Sequence, residues 1–297
     1  MSKVKTTLAL AALGLAVTRP LLAQDWSAVD KALGRSGAAQ AAGVNRYSFP
    51  RGDLEVSVGG TRIRPALALG SWIAFKRTSD GKALAMGDLV LTPDELPAVM
   101  SRLQQGGVEQ MAVHNHLAGE TPQVVYMHIM GKGDAEAIGR TIKDALSTTK
   151  TPLAAPPAVT PLRLDLDTSG VAAALGVAGK GSGGTYQVSV PRPETIREGG
   201  EEIPPSMGVA TAINFQPTTA GRAVATGDFV LLPTEVNPVI RALRANGISV
   251  TALHSHLLMD QPHVLFMHFW GDDDAIRLAR GLRAALDATA MSPGRGK

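Results

Sequence analysis

The 297-residue chain contains no cysteine. That excludes disulfides, thiolate metal sites, cysteine nucleophiles and a lipid-modified cysteine anchor. Aromatic residues make up only 4%, and the formal charge is a modest +3 with no lysine- and arginine-rich run. A nucleic-acid partner is therefore not expected. Long apolar runs are missing too: the best stretch, Leu8–Val17, is too short to span a bilayer comfortably. What remains is ordinary globular material. With 44% hydrophobic and 19% charged residues, the chain can bury a core and is no disordered polymer.

The N-terminus reads as an address label. Lys3 and Lys5 precede the apolar run, and Pro20-Leu-Leu-Ala23 follows it with a small residue at its end. This is the pattern of a secretory signal peptide, cut after Ala23. The mature protein is expected to be periplasmic or secreted, without stable membrane insertion after signal cleavage.

The seven histidines are concentrated in two places. Val113–Gly131 reads VHNHLAGETPQVVYMHIMG, and Leu253–Gly271 reads LHSHLLMDQPHVLFMHFWG. His114, His116 and His128 recur as His254, His256 and His268, each 140 residues later. Between Gly87–Gly131 and Gly227–Gly271, 18 of 45 gap-free positions are identical, which marks a tandem duplication. Leu175-Gly176 matches Leu33-Gly34, Phe215 matches Phe75, and Tyr186 is expected to open a strand as Tyr47 does.

Patterning divides the chain into a signal peptide (1–23), a first α+β repeat (24–147), a Pro/Ala/Thr linker (148–165), a second α+β repeat (166–290) and a disordered tail (291–297). In the first repeat, Trp26–Leu33 reads as a helix stopped by Gly34. Tyr47–Val58 alternates like one strand, and Gly59-Gly60 turns into a further strand over Ile63–Leu69. Thr92-Pro93-Asp94-Glu95 is a capping box that opens a helix. A strand through His116, a short loop and a strand through His128 follow, and Gly133-Asp134 opens the last helix. The expected fold class is α+β, two similar units of antiparallel β-sheet with helices (β-strands, then β-α-β-β-α), related by a pseudo-twofold axis.

On a strand, residues i and i+2 project to one face, so His114 and His116 point together. If the register sets His116 opposite Val124, His128 joins them. A one-residue slip sends it to the other face. Three imidazoles suit a zinc or copper ion and leave a coordination position open. The expected metal ligands are His114, His116 and His128, with His254, His256 and His268 forming an equivalent site. Glu120 and Asp260 occupy matching loop positions as candidate catalytic residues that would move a proton to or from metal-bound water. His263 has no counterpart, because Gln123 takes its place. Met127 and Met267 should face away from the histidines into the core, and Arg51 and Arg192 should pair with Asp53 and Glu194. The His-x-His spacing does not fit a cupin, whose flanking glycines are displaced or missing, and His114–His116 is no HNH nuclease signature.

The stretch Pro65–Trp72, the GDLVL and GDFVL strands and the two HxH…P…MH..G blocks resemble the LppY/LpqO family of exported bacterial proteins of unknown function. The resemblance covers about residues 26–288. It implies an exported two-repeat protein and brings no activity with it, while the absence of cysteine departs from the family's lipoprotein members. Three functions stay open: an exported metal-binding protein with a zinc or copper ion as partner, a metal-dependent hydrolase, and a module binding a small-molecule ligand of the cell envelope.

Overall fold

The computed structural model describes residues 25–154 and 163–291. The expected signal peptide, the centre of the linker and the tail beyond Met291 lie outside the described residues. Each repeat is built on a six-stranded antiparallel sheet. In the first, the strand order is Ala38–Ala39, Asn45–Pro50, Gly70–Arg77, Ala83–Leu91, Val125–Gly133 and Glu109–His114. The second repeats that order with Lys180–Ser182, Thr185–Pro191, Ala210–Pro217, Arg222–Leu231, Leu265–Asp274 and Ser249–His254.

Helices cover one face of each sheet. Ser27–Leu33, Leu96–Gln105 and Ala135–Leu146 bury Val29, Leu33, Val99, Leu103, Ile138 and Ile142 against Phe49, Phe75, Leu89, Met127 and Ile129. The helix Ser27–Leu33 ends at Gly34 in the left-handed conformation (φ 72°), a stop that glycine makes without steric cost. Asp134 caps Ala135–Leu146 by accepting from the Ala137 N–H at 2.8 Å. The second repeat builds the same layer, with Met267 and Phe269 under Thr168–Leu175, Val236–Ala245 and Ala275–Asp287.

The opposite sheet faces meet each other. One apolar cluster joins Ala74, Leu84, Met86 and Met130 of the first repeat to Val209, Val230, Leu257 and Phe266 of the second. Another joins Val90, Leu117, Val124 and Tyr126 to Val224 and Trp270. The central strands are thus covered on both sides, and all nine residues of Ala83–Leu91 are buried.

Three local expectations change. Tyr47–Val58 is not one strand: it stops at Pro50, and after a loop Ser57–Val58 pairs with Thr61–Arg62 and with Glu120–Thr121 in a small separate sheet. The break sits where Arg51 turns inward. Pro65–Ala68 is one turn of helix with proline at its first position, not a strand. The partner of Tyr186 is Asn45, not Tyr47, because Tyr186 and Asn45 lie opposite the matching Phe215 and Phe75. The flanks of the repeats are also better fastened than composition implies. Lys150 N–H donates to Glu95, Leu153 packs on the first core, and Met291 is buried in the second.

Arg51 and Arg192 do form the expected ion pairs. Arg51, fully buried, holds Asp53 at 2.8 Å and donates at 2.7 Å to the Val90 carbonyl. It also reaches Glu95 at 2.8 Å, and Glu95 in turn accepts from the Thr92 N–H at 2.9 Å. The helix itself begins only at Leu96 with Glu95 as its N-cap, so Thr92 is not the N-cap that the expected capping box requires. Arg192 repeats this with Glu194 at 3.0 Å and Glu235 at 2.7 Å. Each guanidinium ties a helix start to the sheet.

Candidate metal centre

A β-bulge in each edge strand sets the face on which the histidines stand. Glu109 and Gln110 pair with Met130 and Ile129, but beyond Met111 the register shifts, so that Ala112, Val113 and His114 oppose His128, Met127 and Tyr126. Without the extra residue, His128 would face the side of Met111 and Val113, away from His114. The second repeat carries the same bulge between Val250 and Ala252. The ladder ends at His114 opposite Tyr126, so His116, expected opposite Val124, stands just beyond the strand. Met127 and Met267 then point to the helix-covered faces.

The two triads do not stay apart. All six histidines meet between the sheets, and their closest ring contacts run across the repeats. His114 stacks on His254 with centroids 3.8 Å apart, His116 on His268 at 3.9 Å, and His128 on His256 at 3.5 Å. Within a repeat the rings lie farther apart: His114 is 4.9 Å from His116 and 5.0 Å from His128. Tyr126 and Phe266 cap the group, stacking on His116 and His256 at 3.5 Å each.

Two carboxylates that sequence reasoning missed complete the cluster. Asp88 lies directly across the ladder from His128, and Asp228 from His268. Asp88 is 3.4 Å from His116 Nε2 and 3.8 Å from His128 Nε2. Asp228 is 3.7 Å from His256 Nε2 and 4.0 Å from His268 Nδ1. Their signal was present in the GDLVL and GDFVL strands: one acid inside an apolar run, repeated at the same 140-residue interval. The glycine before each acid is required by packing, since a Cβ on Gly227 would lie 1.9 Å from the Ala212 carbonyl oxygen.

The loop acids are placed elsewhere. Asp260 spends one oxygen on His263 Nδ1 at 3.0 Å and the other on the Val264 N–H at 2.6 Å, which fixes the loop. Glu120 pairs with Val58 in the small outer sheet. Neither is among the groups of potential ligands that converge. His263 is an exposed partner of Asp260, outside the cluster.

The donor atoms are buried and short of partners. Asp88 Oδ1, Asp228 Oδ1, and Nε2 of His128, His254, His256 and His268 are shielded from solvent and make no hydrogen bond. Buried polar atoms are normally paired, so such a concentration calls for a partner of another kind. His268 shows the orientation clearly: its Nδ1 lies 3.0 Å from the Gly227 carbonyl, and a proton donated there leaves Nε2 with a free lone pair facing the cluster.

Electrostatics favours the same partner. Burial lowers all six imidazoles, with His254 brought to about 4 and His268 to about 3, and the His254 ring adds to the effect at His268. His114, His116, His128 and His256 are lowered by burial and then by the imidazoles around them. The rings are therefore neutral and able to coordinate. Burial pushes Asp88 up to about 8 against the pull of Arg46, and lifts Asp228 well above the carboxylate range, with Asp88 adding to the shift. A bound cation is the counter-charge that would keep both ionised. The ligand atoms come within 4.8 Å of one another in four overlapping sets: His114/His128/His254/His256, His114/His116/His268, Asp88/His116/His128 and Asp228/His256/His268. Neutral imidazole with carboxylate is a donor set for zinc, copper(II), nickel or iron(II).

No helix among the described residues is long and apolar enough to cross a membrane. No curated protein matches the chain. Two solved structures are similar to it over most of their length: the trimeric bacterial microcompartment shell protein PduB (15% identity, 86% of this chain and 90% of that one, TM-score 0.21) and EtuB from Clostridium kluyveri (11% identity, 85% and 91%, TM-score 0.22). Scores this low carry no structural or functional inference. A family model, by contrast, matches each repeat, over residues 27–148 and 169–288. The chain belongs to the family described as Domain of Unknown Function (DUF1259).

Proposed function

We propose that this is an exported protein that binds a transition metal, zinc or copper, through His114, His116, His128, His254, His256 and His268. The observation that carries the reading is the set of buried, unpartnered ring nitrogens and carboxylate oxygens facing one another between the sheets. A structural role for the histidines would leave them hydrogen-bonded to backbone, as only His268 visibly is on one nitrogen. The partner proposed is a metal ion rather than a small-molecule ligand. The reciprocal contacts His116–His268 and His128–His256 support a pseudo-twofold relation between the repeats. The lysine-flanked apolar N-terminus supports export to the periplasm or medium, and the HxH…P…MH..G blocks support a place beside the LppY/LpqO proteins.

Sequestration or delivery fits better than hydrolysis. A hydrolase needs a water-accessible pocket beside an open metal position. A cleft of about 530 Å³ lined by Gly52, Leu54, Arg62, Arg64, Gln216 and their neighbours lies away from the cluster, none of whose residues border it. Asp260 spends both carboxylate oxygens within its own loop, and Glu120 stands in the small separate sheet paired with Val58.

Metal content of the mature, untagged protein, measured by mass spectrometry beside His114→Ala/His254→Ala, tests the proposal. Near-stoichiometric zinc or copper that disappears in the variant is expected. Absence of metal in the wild type, even after incubation with each ion, would overturn it.

A further inference from the structure

Resting on the metal-binding reading, we infer that the centre holds two ions, and that each draws its ligands from both repeats. One ion sits among His114, His116 and His268. The other sits among His254, His256 and His128. Asp88 and Asp228 span the pair.

Three observations lead there. First, the donors are too widely spread for one coordination sphere. Ligands at about 2.0–2.2 Å from one ion lie at most about 4.4 Å from each other, yet the eight residues fall into four overlapping sets at a 4.8 Å limit, not one. Second, the partition follows two of the three closest cross-repeat ring pairs, while the third, His114 on His254 at 3.8 Å, joins the two groups. His116 lies against His268 at 3.9 Å, whereas His268 is 6.3 Å from His256 of its own repeat. His128 likewise lies against His256 at 3.5 Å. The nitrogens of His114, His116 and His268 converge, as do those of His128, His254 and His256 with His114. Third, each carboxylate reaches both groups. Asp88 contacts His116 of one and His128 of the other, while Asp228 contacts His268 and His256. Two carboxylates so placed between two three-imidazole sites are positioned to bridge a pair of cations, each offering one oxygen to each ion.

The sequence motif therefore does not delimit a site. HxH of one repeat serves one ion with the third histidine borrowed from the other repeat, and the reverse holds for the second ion.

The test is crystallographic, on the mature full-length protein loaded with zinc chloride, with anomalous diffraction collected above and below the zinc edge. Two peaks between the sheets are expected, each bounded by histidines of both repeats. One peak, or two peaks each bounded by a single repeat, would overturn the inference while leaving metal binding intact. No bound zinc, copper or other ion would instead sink the metal reading itself. In solution, ions counted by native mass spectrometry separate the same alternatives. His116→Gln/His268→Gln should retain one ion per chain, and His116→Gln/His128→Gln should bind neither tightly. The reverse pattern would show uncrossed sites.

Discussion

The two repeats agree at the ligands and disagree around them. Asp88, His114, His116 and His128 have identical counterparts, and so does the buried arginine that ties helix to sheet. One step outward the halves diverge. Tyr126 donates its hydroxyl to the Ala68 carbonyl at 3.0 Å, while Phe266 stacks on its histidine without that bond. Arg46 lies 3.9 Å over Trp72 and lowers Asp88, whereas Gln187, its counterpart, donates to the Ala66 carbonyl. Asp88 and Asp228 are therefore chemically equal but electrostatically unequal. Ligand atoms must satisfy a geometry that both halves share, while the surrounding shell need only fill space.

The largest effect should come from what the repeats share. Arg51→Met leaves the part-buried Glu95 unpaired and Arg192→Met the buried Glu235, and each should destabilise by about 3–5 kcal/mol in urea unfolding. A large loss in only one repeat would break the equivalence. The same network sets an acid limit. Burial alone would raise Glu95 and Glu235, but Arg51 or Arg192 and two backbone N–H groups outweigh it and hold both below 4.5. Their contribution is complete above that value and is lost as pH falls through the lower folded-state pKa. The unfolding midpoint of Glu95→Gln should therefore fall less on acidification than that of the wild type.

Gly227 and Gly87 differ in degree. A Cβ at Gly227 would approach backbone oxygen at 1.9 Å, against 2.7 Å at Gly87. Gly227→Ala should cost about 1–3 kcal/mol and exceed Gly87→Ala, and thermal melts of the two variants with the opposite order would contradict the packing difference. The smallest change is Tyr126→Phe, which makes the first repeat resemble the second. It should cost about 0.5–1.5 kcal/mol through the lost hydrogen bond and leave metal content unaltered. A change in metal content would show that the hydroxyl, not merely the ring, supports His116.

Much of this architecture could be read from residues alone, and the failures have physical causes. The histidine triads and the arginine pairs depend on short-range spacing, which sequence displays directly, whereas the helix after Thr92 starts three residues later than its capping pattern implies. Asp88 and Asp228 escaped although their strands were read, because a single acid inside a strand covered on both faces carries no His-like spacing to mark it as a ligand. The bulges at Met111 and Thr251 leave no mark in composition, yet they decide which face His114 and His116 occupy. The meeting of the triads is tertiary, since it depends on which sheet faces are left bare once the helices have docked. Pro65–Ala68 was misjudged because proline suits a helix start as readily as a strand edge.

If the two ions are held as inferred, dividing each ligand set between the repeats would turn metal capture into a question of effective concentration. Were the halves separate molecules, every binding event would require a bimolecular encounter and would fade on dilution. Within one chain the second half is always at hand, and the cost of bringing it up is met once, by folding. Occupancy should then be independent of protein concentration, and the bound ions would act as a clasp, so that neither repeat could unfold without releasing the other's metal.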